Sequence, residues 1–121
     1  MTIPNDINKF LDGVRSGRPV EFEQTIALID SHYRFTPCRF ANGEGDDRIV
    51  SEAGVNNGSL KIFTFASEHC LNEAETLSLF GKFYREDVLS NPLGEDHRNI
   101  RAFMKFGWRG VAFDGKALEA C

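Results

Sequence analysis

The sequence predicts an α+β fold, predominantly helical, with a small antiparallel sheet. Three observations carry this expectation. Apolar residues recur at helical spacing in five separate segments of the 121-residue chain. Between residues 34 and 54 that period breaks, and Pro, Gly and Asn gather in the pattern of turns between short extended pieces. Eleven phenylalanines within a 41% hydrophobic composition supply enough apolar mass to offset the entropy of ordering the backbone. A chain of this length corresponds to one domain, taken as residues 1–121, and such a domain buries roughly two thirds of the surface its unfolded chain exposes.

The elements follow in order. Residues 5 to 15 read as a helix because Ile7, Phe10, Leu11 and Val14 share a face, with Asn5 or Asp6 as N-cap and Gly17 and Pro19 as the stop. A second helix covers about 20 to 33, with Phe22, Ile26, Ile29 and Tyr33 inward and His32 beside that seam. Extended pieces at 38–41 and 48–51 form a hairpin whose tip, "NGEGDD", is expected to be a mobile surface loop. A lone hairpin is marginal, so a further strand or a helix has to cover it.

From Leu60 to Cys70 the polar residues Lys61, Thr64, Ser67 and Glu68 fall on one narrow stripe, and Leu60, Ile62, Phe63, Phe65 and Ala66 fill the rest. That is the pattern of a helix enclosed by protein, with Ser59 as its N-cap and Gly54 and Gly58 easing the approach. A strand over 60–65 is the competing reading, since the run is short and aromatic-rich. Asn72 followed by Glu75 has the arrangement of a capping box and opens a helix with Leu77, Phe80, Tyr84 and Val88 as its seam, ending near Asn91-Pro92. A fifth helix starts at Asp96, an acidic N-cap, carries Ile100, Phe103 and Met104 inward, and stops at Gly107. A short strand at 111–113 and a turn at Asp114-Gly115 follow, and the tail from Lys116 to Cys121 is expected to fray.

A net charge of −4 gives no broad attraction to nucleic acid or to anionic lipid, so neither is an expected partner. The opening "MTIPNDINKFLDGV" has no basic segment followed by an apolar stretch, and no run approaches the roughly 18 apolar residues of a membrane-spanning helix. Cys38, Cys70 and Cys121 form no Cys-x-x-Cys pair and read as free thiols of a reducing cytoplasm, without a disulfide.

The segment from Glu52 to Ser59 is the best local argument for a site. Unpaired N–H groups and partial positive charge at a helix N-terminus suit an anion, and glycine permits close approach. Glu52, Asn56, Asn57 and Ser59 are therefore candidate ligand- or anion-binding residues, with His32 and His97 as candidate companions. The spacing matches neither a phosphate loop nor a dinucleotide fingerprint, and the plain alternative is that these side chains bond the local backbone. No two histidines pair at i, i+4, so no metal or cofactor is expected, and no residue is assigned as catalytic. His69 and Cys70 are adjacent and point about 100° apart on a helix, a poor dyad. Cys38, next to Arg39, reads as a half-buried inert thiol. Arg98, Arg101, Lys105 and Arg109 recur at helical spacing. With Trp108, the first three form a candidate partner surface, against the plainer reading of a solvated helix face and an apolar anchor.

"FTP" at 35–37, "EAGVNNGS" at 52–59, "NEAETLSLFGKFYREDVL" at 72–89 and "GEDHRNIRAFMKFGW" at 94–108 resemble the HopJ family, named for a type III effector of plant-pathogenic bacteria. The resemblance runs over roughly residues 7 to 118. It implies a bacterial protein, exported from the cytoplasm to a host cell by type III secretion. With no catalytic motif recognisable in the sequence, a non-enzymatic binding protein that acts by contact with a protein partner, a host protein if exported, is the expectation. The resemblance brings no substrate, reaction or functional residue with it, and it leaves the oligomeric state open. An enzyme or small-anion-binding protein using the 52–59 loop is the alternative.

Overall fold

The computed structural model describes residues 4–120. The helices among them are α1 (Asn5–Arg15), α2 (Phe22–His32), α3 (Asn57–Glu68), α4 (Glu73–Ser78), a π-helical segment (Phe83–Val88) and α5 (Arg98–Phe106), with 3₁₀ turns at Gly45–Asp47 and Gly107–Gly110. The strands are β1 (Tyr33–Phe35), β2 (Phe40–Asn42), β3 (Ile49–Ser51), β4 (Ala112–Phe113) and β5 (Leu118–Ala120). They form two antiparallel sheets, a three-stranded one in the order β3-β2-β4 and a pair, β1-β5.

α3 is the axis of the molecule. Leu60, Ile62, Phe63, Phe65 and Ala66 are all 0% exposed, and the helical reading of 60–65 holds over the strand. Phe63 is the hub: its ring meets those of Phe40, Phe80, Phe103 and Trp108 at centroid separations of 5.0–6.4 Å. Each such aromatic contact adds about 0.5–1.5 kcal/mol to what burial alone gives. Of the stripe assigned as polar, Thr64 is buried, while Ser67 and Glu68 face solvent. The hairpin also forms, with Phe40 opposite Ser51 and Asn42 opposite Ile49, and β4 supplies its third strand.

Several expectations give way. Tyr33 leaves α2 and opens β1. The chain after Lys116 is paired, Leu118 opposite Phe35, and Ala117 and Leu118 are buried; Cys121 lies outside the described residues. Asn42 is not a turn residue but a buried strand residue whose Nδ2 donates to the Asn99 carbonyl oxygen (2.8 Å) and Oδ1 (3.0 Å). The loop tip lies on the surface as expected, with exposed ion pairs from Lys105 to Asp47 (2.6 Å) and from Arg109 to Glu44 (3.4 Å).

The helix expected to run from 73 to about 91 breaks after Ser78, and Gly81 takes φ +61°. The backbone of α2 is the cause: a Cβ on Gly81 would lie 2.7 Å from the Phe22 nitrogen. The chain resumes as a π-helical turn in which the Leu89 N–H donates to the Tyr84 carbonyl oxygen at 3.0 Å. Finally, α5 starts from His97 rather than Asp96, and Met104 is 44% exposed instead of inward. Asp96 does not cap because Arg101 holds it, Nη2 to Oδ1 at 2.6 Å and Nε to the carbonyl oxygen at 2.6 Å.

Candidate functional site

The N-termini of α3 and α5 open into one cavity of about 460 Å³. Asn56 and Ser59 line it from α3, and His97, Arg98, Asn99 and Ile100 line it from α5. Phe22, Phe80, Phe83 and Ile49 make the apolar walls. Of the candidate ligand residues, the structure therefore brings Asn56, Ser59 and His97 together. Glu52 is elsewhere, paired with Arg39 at 3.2 Å, and so is His32, which meets Asp6 at 2.7 Å. Asn57, in the first turn of α3, is absent from the lining, and its Oδ1 is buried without a partner among the described residues.

Both helices begin in an unusual way. Asn56 (φ 58°) and His97 (φ 49°) are left-handed N-caps, and neither helix has a side-chain cap or an acidic residue in its first turn. Asn56 spends its amide on the Ser51 hydroxyl, Nδ2 to Oγ at 2.9 Å, so it shapes the loop rather than closing the helix. Ser59 is not the cap expected of it but part of the first turn. Gly58 matters for space, not for its backbone angle: a Cβ there would come within 2.8 Å of the Phe22 ring. The first-turn N–H groups of Gly58, Ser59, Asn99 and Ile100 meet no acceptor among the described residues.

His97 is fixed from two sides. Its ring stacks on Phe83 (5.1 Å between centroids), and its Nε2 meets Asp87 Oδ2 at 3.0 Å. The hydrogen bonds from Arg101 hold the Asp96 carboxyl below the usual carboxylate range, with His97 adding a smaller pull. Both acids beside the cavity are thus engaged, whereas Arg98 has no hydrogen-bond or ion-pair partner among the described residues.

The candidate partner surface divides in the same way. Arg98, Arg101 and Lys105 line a second hollow of about 580 Å³ that adjoins the first along α5 and shares Arg98 and Ile49 with it. Arg101 is a structural staple, reaching the Asn91 carbonyl oxygen as well as Asp96. Trp108 points the other way: its Nε1 donates to the Leu71 carbonyl oxygen (3.1 Å), and its ring packs on Phe63 and Phe103. It is the apolar anchor of the plainer reading. Cys38 and Cys70 are free thiols. Asn99, in α5, was missed by sequence reasoning. Its only signal was an amide residue at the start of an amphipathic helix, and nothing local ties it to Asn42, 57 residues away.

His69 Nε2 meets the Tyr33 hydroxyl at 2.9 Å, and burial pushes its pKa down. No group of three or more His, Cys, Asp or Glu among the described residues could hold a metal, and none of their helices is long and apolar enough to cross a membrane.

These features define an α+β protein with a cationic, aromatic-walled hollow at two helix N-termini. The chain belongs to the HopJ type III effector protein family, whose model matches residues 7–118. It is similar over its full length to a crystal structure described as "unknown function protein VPA0580", with 44% identity, a TM-score of 0.89 and 97% of that chain covered. No curated protein matches.

Proposed function

We propose that this is a non-enzymatic binding protein that acts by contact with a protein partner, through the hollow along α5. One observation carries the reading: the hollow presents Arg98, a cation without an ion-pair partner among the described residues, beside the apolar Ile49, Ala102 and Phe106, with Glu95 on the same lining. Leu93, 94% exposed, stands one residue before Gly94 on its rim. An unneutralised cation next to apolar surface suits a partner segment with an acidic group and an apolar anchor. The other large exposed apolar residues, Val50, Val55, Leu89 and Met104, are scattered along the sequence. The family's description as a type III effector supports export from the bacterial cytoplasm and a host protein as that partner.

Site-specific photo-crosslinking tests this. A photoreactive residue at Glu95, in the hollow, should capture a discrete host-extract protein, and one at Asp12 on α1 should not. Capture should fall with added salt and in Arg98→Glu. Equal capture from both positions, or none from Glu95, overturns the reading.

A further inference from the structure

The smaller cavity has properties that the partner reading does not use. It combines three kinds of group that suit an anion. Two helix N-termini, each with roughly half a positive charge and no acid in the first turn, face the same space. Arg98 adds a full charge at the first position of α5, where the helix dipole disfavours a cation, and it forms no ion pair among the described residues. Asn99 is only 7% exposed and lines the cavity; its Oδ1 is occupied by Asn42 Nδ2, while its own Nδ2 donates to nothing among the described residues. That Nδ2 is a solvent-reachable donor on an otherwise enclosed side chain, so an acceptor from outside the chain can meet it.

The walls decide what the acceptor is attached to. Phe22, Phe80, Phe83, Ile49 and Ile100 leave much of the lining apolar, and the volume of about 460 Å³ lies within the range of small-molecule sites. An inorganic ion would leave those walls unused. From this the geometry points to a site for a hydrophobic carboxylate, its oxygens on the first-turn N–H groups of α3 and α5, Asn99 Nδ2 and Arg98, and its apolar body on Phe22 and Phe83. The carboxylate comes either from a free aryl or alkyl acid or from the C-terminus of another chain. The site shares Arg98 with the α5 partner reading, but its other donors, the first-turn N–H groups and Asn99 Nδ2, are not used by that reading.

The test is a titration followed by amide NMR shifts. The probes are 3-phenylpropionate, its neutral amide, and a short peptide ending in phenylalanine with a free or an amidated terminus. The carboxylates should shift the N–H signals of Gly58, Ser59, Asn99 and Ile100 saturably, with a dissociation constant of about 1 mM or tighter. The neutral probes should not, and Arg98→Ala should weaken binding about tenfold or more. Tighter binding of the free acid than of the free-terminus peptide assigns a small-molecule source; the reverse order assigns a chain terminus. The proposal is overturned by the absence of saturable shifts with either carboxylate, by equal shifts with the amides, by shifts centred on other residues, or by unchanged affinity in Arg98→Ala.

Discussion

Two kinds of helix N-terminus coexist in this molecule. At α4, Asn72 and Glu75 close a reciprocal cap: the Glu75 N–H donates to Asn72 Oδ1 at 2.7 Å and the Asn72 N–H to Glu75 Oε1 at 2.9 Å. At α2, Gln24 reaches back to the Glu21 N–H at 2.9 Å, and Glu21 is further held by Arg85. At α3 and α5 nothing of the kind happens, and both starts open into one cavity beside Arg98, which has no ion-pair partner among the described residues. A side-chain cap contributes about 1 kcal/mol to stability. Where the chain forgoes it twice at one place, the first-turn N–H groups stay open to water or to a ligand.

The sharpest way to break the closed side of this contrast is Gly81→Ala. The new Cβ meets the backbone at the start of α2 and needs a left-handed conformation as well, so a loss of about 3 kcal/mol is expected in urea denaturation. Next comes Asn72→Ala, expected to cost about 1 kcal/mol by the same measurement, with no effect on the cavity. On the open side the sign reverses. Arg98→Glu places an acid where the α5 dipole favours one, and should stabilise the ligand-free protein by about 0.5 kcal/mol while removing carboxylate binding. A loss of stability in that variant would mean that Arg98 has a structural partner after all.

The smallest effect concerns pH. Burial, then the Arg15 charge, depress the pKa of His69 in the folded state, so the unfolded chain takes up the proton first as pH falls. The contribution is fully present above the unfolded value of about 6.5 and is lost as pH drops from there towards the folded value. Denaturation at pH 7.5 and pH 5 should therefore show a decline in the parent that is smaller in His69→Gln.

The legible parts of the fold share a trait. The α4 cap needs four residues, the α3 core pattern needs seven, and both were readable because their physics is contained in one or two turns. The hairpin was readable for the same reason. The β1-β5 pairing was not: each strand has three residues, too few for a period, and the partners are more than 80 positions apart. Gly81 illustrates a subtler case. The seam from Leu77 to Val88 keeps a helical period in sequence, and only the close approach of α2 breaks it. Asp96 looked like an N-cap because carboxylates favour that position, but Arg101 claims it first.

Of the candidate site, the sequence alone determined that a Gly/Asn-rich loop precedes an enclosed helix, and that a cationic helix follows an Asp-His pair. Only the tertiary structure decided that these two starts face each other, that Glu52 and His32 are turned to other partners, and that Asn99 joins them. The reason is range. Caps and periodicity are settled by hydrogen bonds and burial within a few residues, whereas residues 56–59 and 97–100 are some 40 positions apart. Their meeting depends on how α3, α5 and the phenylalanines between them pack into one core.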